Sequence, residues 1–214
     1  MGNLKKFALI YFVLICFFSS KINSKEIKNA TVVSVDNYII TELDIIKEIQ
    51  FINFINKLNN NDLSQNQILR RESINNLIAR KIKNIETDYF KVFVSEKEVE
   101  INLYKYLSNL KINKEDFDSF LKKNEIDKNY LINIINIDMK WSELIRQIYT
   151  GRININLTEI NAEIENADQK GIVLDDKDKL KDDLISNEKQ KKLNKFAESH
   201  FERVKKKYLI NFLW

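Results

Sequence analysis

The sequence contains no proline, three glycines, one cysteine and one histidine among its 214 residues. Because proline and glycine interrupt helices and build tight turns, their scarcity favours long helices over a turn-rich β fold. The single histidine, His200, has no other metal-binding side chains at a suitable spacing, and the sequence has no phosphate-binding glycine loop or nucleophile motif. We therefore predict a mainly α protein that is not an enzyme and has no catalytic, metal-binding or cofactor-binding residues. For His200 we predict a structural or surface role.

The first 24 residues have the composition of a secretory signal peptide. Lys5 and Lys6 precede an uncharged apolar run over residues 7–18, and the serines at 19, 20 and 24 are small enough for cleavage. The run is short for a membrane span, which needs about 20 apolar residues. An uncleaved N-terminal anchor is the alternative, because Phe18 and Ile22 lie three positions before the cleavage sites, where a small residue is preferred.

Cleavage after Ser24 would change both the charge and the redox chemistry of the chain. Three lysines and no acidic residue leave, so 32 basic residues face 31 acidic ones and the formal charge falls from +4 to +1. A nearly neutral chain gives no general reason to expect nucleic acid binding. Cys16, the only cysteine, leaves as well, and a chain without thiols suits an oxidising compartment. We predict an exported protein, for which the bacterial periplasm is a suitable compartment, with no nucleic-acid partner and no stable membrane insertion after cleavage.

The stretch from Arg70 to Phe90 predicts the helix against which the other elements pack. Its apolar residues recur at three- and four-residue spacing and form one stripe, which consists of Ile74, Leu77, Ile78, Ile82 and Ile85. A helix with one apolar stripe needs partners, and further amphipathic segments on both sides of it supply them.

Helix starts are marked by capping residues. Thr41 with Asp44 and Ser95 with Glu98 have the spacing of capping boxes, and Asp127 begins a longer helix. For the helix after Thr41 we predict an inward stripe of Leu43, Ile46, Ile49, Ile52 and Ile55. Residues 153–157 alternate and predict a short strand or an extended linker, and residues 176–207 predict a charged final helix.

Two segments near the ends of the chain have the character of strands. Residues 30–35 and 38–40, joined by Asp36 and Asn37, predict a hairpin, and residues 208–212 predict one more strand. A terminal strand without a partner would leave backbone and apolar groups unsatisfied. We therefore expect it to return and pair with the hairpin, with a frayed helical end as the alternative.

The chain resembles the N-terminal domain of SurA-type periplasmic chaperones in two segments, VVSVDNYIITELDI and RRESINNLIARKIKNIETDYFKVFVSEKEVE. The positions that match the family's hairpin, helix and turn patterns are Val35, Asp36, Ile39, Ile40, Thr41, Asp44, Leu77, Ile78, Lys81, Ile82, Val94, Ser95, Glu98 and Val99. The resemblance implies a multi-helix chaperone domain over residues 25–168. It also implies that residues 169–214 form a C-terminal helix and strand that pack back on this domain.

This resemblance implies an ATP-independent holdase whose partners are unfolded polypeptides, with outer-membrane protein precursors as clients. In that family, parvulin prolyl isomerase domains follow the segment that ends here near Asp168. Only a few residues separate this segment from the final helix, so no parvulin domain is present and isomerase activity is not expected. The alternatives are an isomerase relative that acts with a separate catalytic chain and a membrane-tethered interaction module.

Aromatic residues exceed what the inward stripes need. Such residues can line an apolar groove between helices, which a binder of unfolded chains requires, although core packing is the alternative for each of them. The candidates for a client-binding groove are Phe51, Phe54, Tyr104, Phe117 and Phe120.

Overall fold

The computed structural model describes residues 30–58, 66–109, 112–169 and 177–213. Its elements in chain order are β1 (Thr31–Val35), β2 (Tyr38–Thr41), α1 (Glu42–Leu58), α2 (Asn66–Tyr89), α3 (Glu96–Asn109), α4 (Phe117–Lys123), α5 (Lys128–Tyr149), a 3₁₀ turn (Thr150–Arg152), α6 (Leu157–Gln169), α7 (Lys177–Lys205) and β3 (Ile210–Phe212). Helices dominate these residues, so the mainly α prediction is confirmed. The predicted signal peptide, residues 1–24, lies outside the described part of the chain.

The three strands form one antiparallel sheet in the order β2-β1-β3. The hairpin turns at Asp36, whose φ of 49° lies in the left-handed region that aspartate tolerates better than most residues. On the other side of β1, Val33 lies opposite Phe212 of β3. Leu209 joins the C-terminal segment to the hairpin by two hydrogen bonds. Its carbonyl accepts a hydrogen bond from the amide of Asp36 at 2.8 Å, and its own amide donates to Asp36 Oδ1 at 2.8 Å. The predicted return of the C-terminal strand to the hairpin is confirmed.

The central helix of the fold is α2. Along its stripe, Ile74, Ile78 and Ile82 are buried, and Leu77 and Ile85 pack at the edge of the same core, as the spacing predicts. This first core connects α2 to the sheet, to α1 and to α7 through Val32, Val33, Val35, Ile40, Ile45 and Val204.

All three predicted helix caps are formed. The amide of Thr41 donates to Asp44 Oδ2 at 2.8 Å, and the amide of Asp44 donates back to Thr41 Oγ1 at 3.3 Å. Ser95 and Glu98 repeat this reciprocal arrangement at the start of α3. Asp127 Oδ1 accepts the amide of Asn129 at 2.9 Å and so caps α5. Each such cap stabilises the fold by about 1 kcal/mol.

Two further cores lie away from the sheet. The second core joins α1, α3, α4 and α5 and consists of Phe54, Leu103, Leu107, Phe117, Leu121, Ile126 and Leu131. The third core joins α5 to α7 and consists of Val92, Trp141, Leu144, Ile145, Tyr149 and Leu193. Helix α5 therefore packs in the second core near its start and in the third core near its end.

The inward face of α1 differs from the prediction. Leu43 is 39% exposed, whereas Ile45 and Glu48 are fully buried. Of the predicted stripe, Ile52 is buried and Ile46, Ile49 and Ile55 are half-buried. The buried face of α1 is therefore rotated relative to the predicted stripe. It carries the carboxylate of Glu48 into the interior, where side chains of α2 and α5 donate hydrogen bonds to it.

The segment between α5 and α6 was predicted as a strand or an extended linker. Residues 153–156 form a linker, which follows the 3₁₀ turn at Thr150–Arg152 and pairs with no strand of the described chain. Beyond it, α6 packs along α7, where Ile160 is buried.

Candidate peptide-binding groove

A groove of about 1070 Å³ runs between α3 and α5. Val92, which precedes α3, packs beside Trp141 and Leu144 near the end of α5. Leu107, at the other end of α3, packs beside Leu131 near the start of α5. The two helices are therefore antiparallel, and they form the two walls of the groove.

The walls are built by the helical repeat. On α5 the groove-facing residues recur at three- and four-residue spacing, and they are Leu131, Ile134, Ile135, Asp138, Met139, Ser142, Glu143, Arg146 and Gln147. On α3 they are Glu98, Asn102, Lys105, Tyr106 and Asn109. The opposite side of α5 carries Trp141, Leu144 and Ile145 into the third core. One side of α5 therefore packs in the third core, and another side lines the open groove.

The two ends of the groove differ in the balance of apolar and polar groups. Ile135, Tyr106 and Phe51 make one end more apolar, although Lys105 and Asn109 line it as well. At the other end, the last turns of α5 present the polar side chains of Ser142, Glu143, Arg146 and Gln147, opposite Phe93 and Val94. Opposite charges on this wall are paired: Arg146 Nη1 lies 2.8 Å from Glu143 Oε2.

The floor of the groove rests on a buried polar network, here named the Glu48 cluster, which consists of Glu48, Asn76, Arg80 and Tyr130. Arg80 donates from Nη1 to Glu48 Oε2 at 2.5 Å and from Nη2 to Oε1 at 2.6 Å. Asn76 donates to Oε1 at 3.1 Å, and the Tyr130 hydroxyl donates to Oε2. Burial and the hydrogen bond to Glu48 raise the pKa of Tyr130 above its usual range. The Tyr130 hydroxyl therefore stays protonated, and the network fixes α1, α2 and α5 relative to one another.

One mouth of the groove carries exposed aromatic residues. Phe93, in the turn between α2 and α3, lines the groove and is 81% exposed. Tyr89 and Phe90, at the end of α2, are exposed as well but do not line the groove, and their rings pack edge to face at 5.2 Å. Phe93 therefore adds exposed apolar surface to this mouth of the groove.

All five predicted groove residues belong to the second core or its edge. Phe54 and Phe117 are 5% and 3% exposed, so they pack inside rather than face a ligand. Phe120 packs edge to face on Phe54 at 5.6 Å, and Tyr104 lies under the ammonium group of Lys114 at 4.1 Å. Phe51 is the one that lines the groove.

Of the side chains that line the groove, only Phe51 was predicted from the sequence to do so. Among the others, Tyr106 was not singled out, Met139 lies on a wall that forms only when α5 packs, and Phe93 is in the turn between α2 and α3. The signal for Phe93 was present, because it is a large apolar residue that belongs to no helical stripe and lies two residues before the capping box of Ser95 and Glu98.

Hydrogen-bonding groups accompany the apolar ones along the whole groove. Asn102 and Gln147 each use one amide hydrogen inside the domain, donating to the Glu98 carbonyl and to Glu143 Oε1. Their second amide hydrogen and their carbonyl oxygen, and the amide of Asn109, can pair with the backbone of an extended chain. Within the described ranges, no three acidic, cysteine or histidine side chains are grouped to hold a metal ion. None of the helices described is long and apolar enough to cross a membrane.

Neither a protein family model nor a curated protein sequence matches this chain. Among solved structures, it is similar in fold to a chain from Campylobacter jejuni, from work that describes the virulence factor PEB4 and the periplasmic protein Cj1289 as structurally related SurA-like chaperones. That match has 12% sequence identity and a TM-score of 0.45, and it covers 86% of this chain and 99% of the other. An identity and a TM-score of this size assign no function to this chain.

Proposed function

We propose that this protein is an ATP-independent periplasmic holdase that binds extended segments of unfolded polypeptides in the groove between α3 and α5. The observation that carries the proposal is the groove itself, which is open and long and is lined by apolar and amide side chains, with charged side chains between them. Unfolded chains offer the same two kinds of group, apolar side chains and unpaired backbone amides.

The dimensions of the groove suit a short extended segment. From Leu131 to Gln147 the wall on α5 is about 24 Å long at the rise of an α-helix. A chain in β conformation covers this distance with about seven residues. Because side chains of an extended segment alternate, roughly half of them would face the groove, and the more apolar end would hold the most hydrophobic of these.

The compartment and the client class rest on the sequence resemblance to SurA-type chaperones. On that basis we propose outer-membrane protein precursors as clients and secretion through residues 1–24. We propose no catalytic activity, since the groove presents no nucleophile beside a base. Contacts with a half-apolar open surface are weak, so a client leaves when it folds or inserts elsewhere, without ATP.

The test is suppression of aggregation of an unfolded β-barrel protein by the purified protein and by the double variant Phe93→Ser/Met139→Gln. Both side chains line the groove without belonging to a core. Loss of their apolar contact should weaken client binding by roughly tenfold, the equivalent of about 1.4 kcal/mol. Fluorescence anisotropy with a labelled peptide from the same client would give the affinity directly.

The matched control is Tyr89→Ser. Tyr89 is 78% exposed, close to the value for Phe93, and lies outside the groove. We expect this variant to bind as the unchanged protein does. Equal losses in Tyr89→Ser and in the double variant would contradict the groove as the binding site, and no suppression by the unchanged protein would refute the holdase function. Turnover in a protease-coupled prolyl isomerase assay would favour the enzymatic alternative.

A further inference from the structure

The chain's single histidine lies in a second polar network, here named the Glu86 cluster, in which Glu86, Tyr149 and His200 are buried and Arg203, Lys207 and Tyr208 reach the surface. Glu86 belongs to α2 and is 4% exposed, and Tyr149 is the last residue of α5. The other four members come from α7 and the residues that follow it. The contacts that Glu86 and Tyr149 make in this cluster therefore hold the C-terminal segment on the rest of the domain.

The hydrogen bonds determine which nitrogen of His200 carries the proton. Arg203 Nη2 lies 2.5 Å from the hydroxyl oxygen of Tyr149 and 3.4 Å from His200 Nδ1. A guanidinium group can only donate, so the hydroxyl of Tyr149 accepts from it and directs its own hydrogen to Nδ1, at 3.0 Å. Nδ1 is thus an acceptor, and the neutral imidazole bears its hydrogen on Nε2.

That Nε2–H group is poorly satisfied. It is buried and has no hydrogen-bond partner among the described residues. The nearest acidic oxygen, Glu86 Oε1, is 3.9 Å away, beyond hydrogen-bond distance. Glu86 is already engaged, since the Tyr208 hydroxyl donates to Oε2 at 3.0 Å and Lys207 Nζ lies 3.5 Å from Oε1.

Protonation of His200 would disrupt this arrangement. A second proton would go on Nδ1, where the hydroxyl of Tyr149 and the guanidinium of Arg203 already direct their hydrogens. Burial and the charge of Arg203 lower the pKa of His200 below its usual range, while Glu86 opposes them. Burial and the bond to Glu86 raise the pKa of Tyr208 to about 12, so Tyr208 does not titrate with the histidine.

We propose that the Glu86 cluster is an acid-sensitive latch that holds the C-terminal half of α7 and β3 on the domain, and that His200 is its titrating member. Because the docked segment binds fewer protons than the free one, its docking is complete above the ordinary histidine pKa of about 6.5. Docking weakens as the pH falls through that value toward the lower pKa of the docked state. This inference does not depend on the function of the groove.

Release of the latch would uncover an apolar surface. Trp141 packs edge to face on His200 at 5.4 Å and on Phe201 at 6.2 Å, and the Tyr149 ring stacks on Phe196 at 4.7 Å. These contacts cover the side of α5 that faces away from the groove. Acidification would therefore expose a second hydrophobic face of the same helix.

Hydrogen exchange tests the latch. Amides in residues 193–213 should lose roughly tenfold of their protection between about pH 7.5 and about pH 5.5, after correction for the intrinsic exchange rate. Amides of α3 serve as the reference and should keep theirs. In His200→Gln, which retains an acceptor but does not titrate, the C-terminal protection should not depend on pH. The proposal is overturned if the unchanged protein shows no such loss, if α3 loses protection equally, or if His200→Gln shows the same pH dependence.

A second measurement needs no variant. Because the chain has one histidine, its imidazole C–H resonance gives the titration of His200 without assignment by mutation. We expect a midpoint clearly below about 6.5. A midpoint at or above this value would refute the latch, since protonation would then not oppose docking.

Discussion

The two buried carboxylates of this protein differ in how completely they are satisfied. The carboxylate of Glu48 accepts hydrogen bonds from three side chains, and both of its oxygens are paired with the guanidinium of Arg80. Glu86 receives one hydroxyl hydrogen bond, from Tyr208; the ammonium group of Lys207 lies 3.5 Å from it and the neutral imidazole of His200 lies 3.9 Å from it. The first network joins α1, α2 and α5, and the second joins the C-terminal segment to α2 and α5. The difference predicts that removal of the carboxylate lowers the free energy of unfolding more in the first network than in the second.

Burial determines how much each network contributes to the free energy of unfolding. A buried charge whose partner is removed stays in a medium that cannot solvate it, whereas a charge near the surface turns toward water. Arg80 is 16% exposed in its side chain, while Lys207 is 60% exposed. Loss of the carboxylate therefore isolates Arg80 but leaves Lys207 solvated.

The largest effect is expected for Glu48→Ala. This variant leaves the Arg80 guanidinium without its counter-ion in the interior, so the free energy of unfolding should fall by about 3–5 kcal/mol. Urea unfolding followed by circular dichroism measures the change. The control Glu48→Leu/Arg80→Leu removes both charges and should regain most of the loss. A double variant no more stable than the single one would show that the ion pair is not the cause.

A smaller effect is expected for Glu86→Leu. The Tyr208 hydroxyl loses its acceptor, and Lys207 turns to solvent, so the free energy of unfolding should fall by about 1–3 kcal/mol. Glu86→Gln keeps an acceptor for Tyr208 and should cost less. If Glu86→Leu proved as costly as Glu48→Ala in the same urea experiment, the proposed contrast between the two networks would be wrong.

The smallest effect is expected for Glu42→Gln. Arg70 binds Glu42 with the same two-pronged geometry as Arg80 binds Glu48, at 2.6 Å and 2.8 Å, but the side chains are 38% and 30% exposed. Solvent screens such a pair, so we expect a loss below about 1 kcal/mol that shrinks further in 1 M salt. The hydrogen bond from Arg70 lowers the pKa of Glu42, so this contribution is present near neutral pH and is lost as the pH falls through that pKa. If Glu42→Gln lowered the free energy of unfolding as much as Glu48→Ala, then hydrogen-bond geometry rather than burial would determine how much each ion pair stabilises the fold.

Patterns within one helix were predictable from the sequence. The stripe of α2 and the caps at Thr41, Ser95 and Asp127 depend on residues three or four positions apart, and all of them are present. The return of β3 to β1 was predictable as well, because a terminal strand that joins a sheet pairs its backbone and buries its apolar side chains.

Features that depend on distant partners were not predictable. Glu48 could not be placed inside from its own helix, since Arg80 and Tyr130 lie 32 and 82 residues further along the chain. The groove depends likewise on how α3 and α5 pack, which decides that Phe51 faces it and Phe54 does not. Aromatic residues show that a cluster will form, but helical spacing alone does not show which side of the cluster stays open.

The paired hydrogen bonds between Asp36 and Leu209 have a consequence for how the chain acquires its fold. The two residues are 173 positions apart. A polypeptide that emerges from a ribosome or a translocation pore with its N-terminus first cannot complete the sheet until residue 209 is free. Until then β1 has an open edge, so the nascent domain is itself an incompletely folded chain, and closure is a late and slow event set by topology.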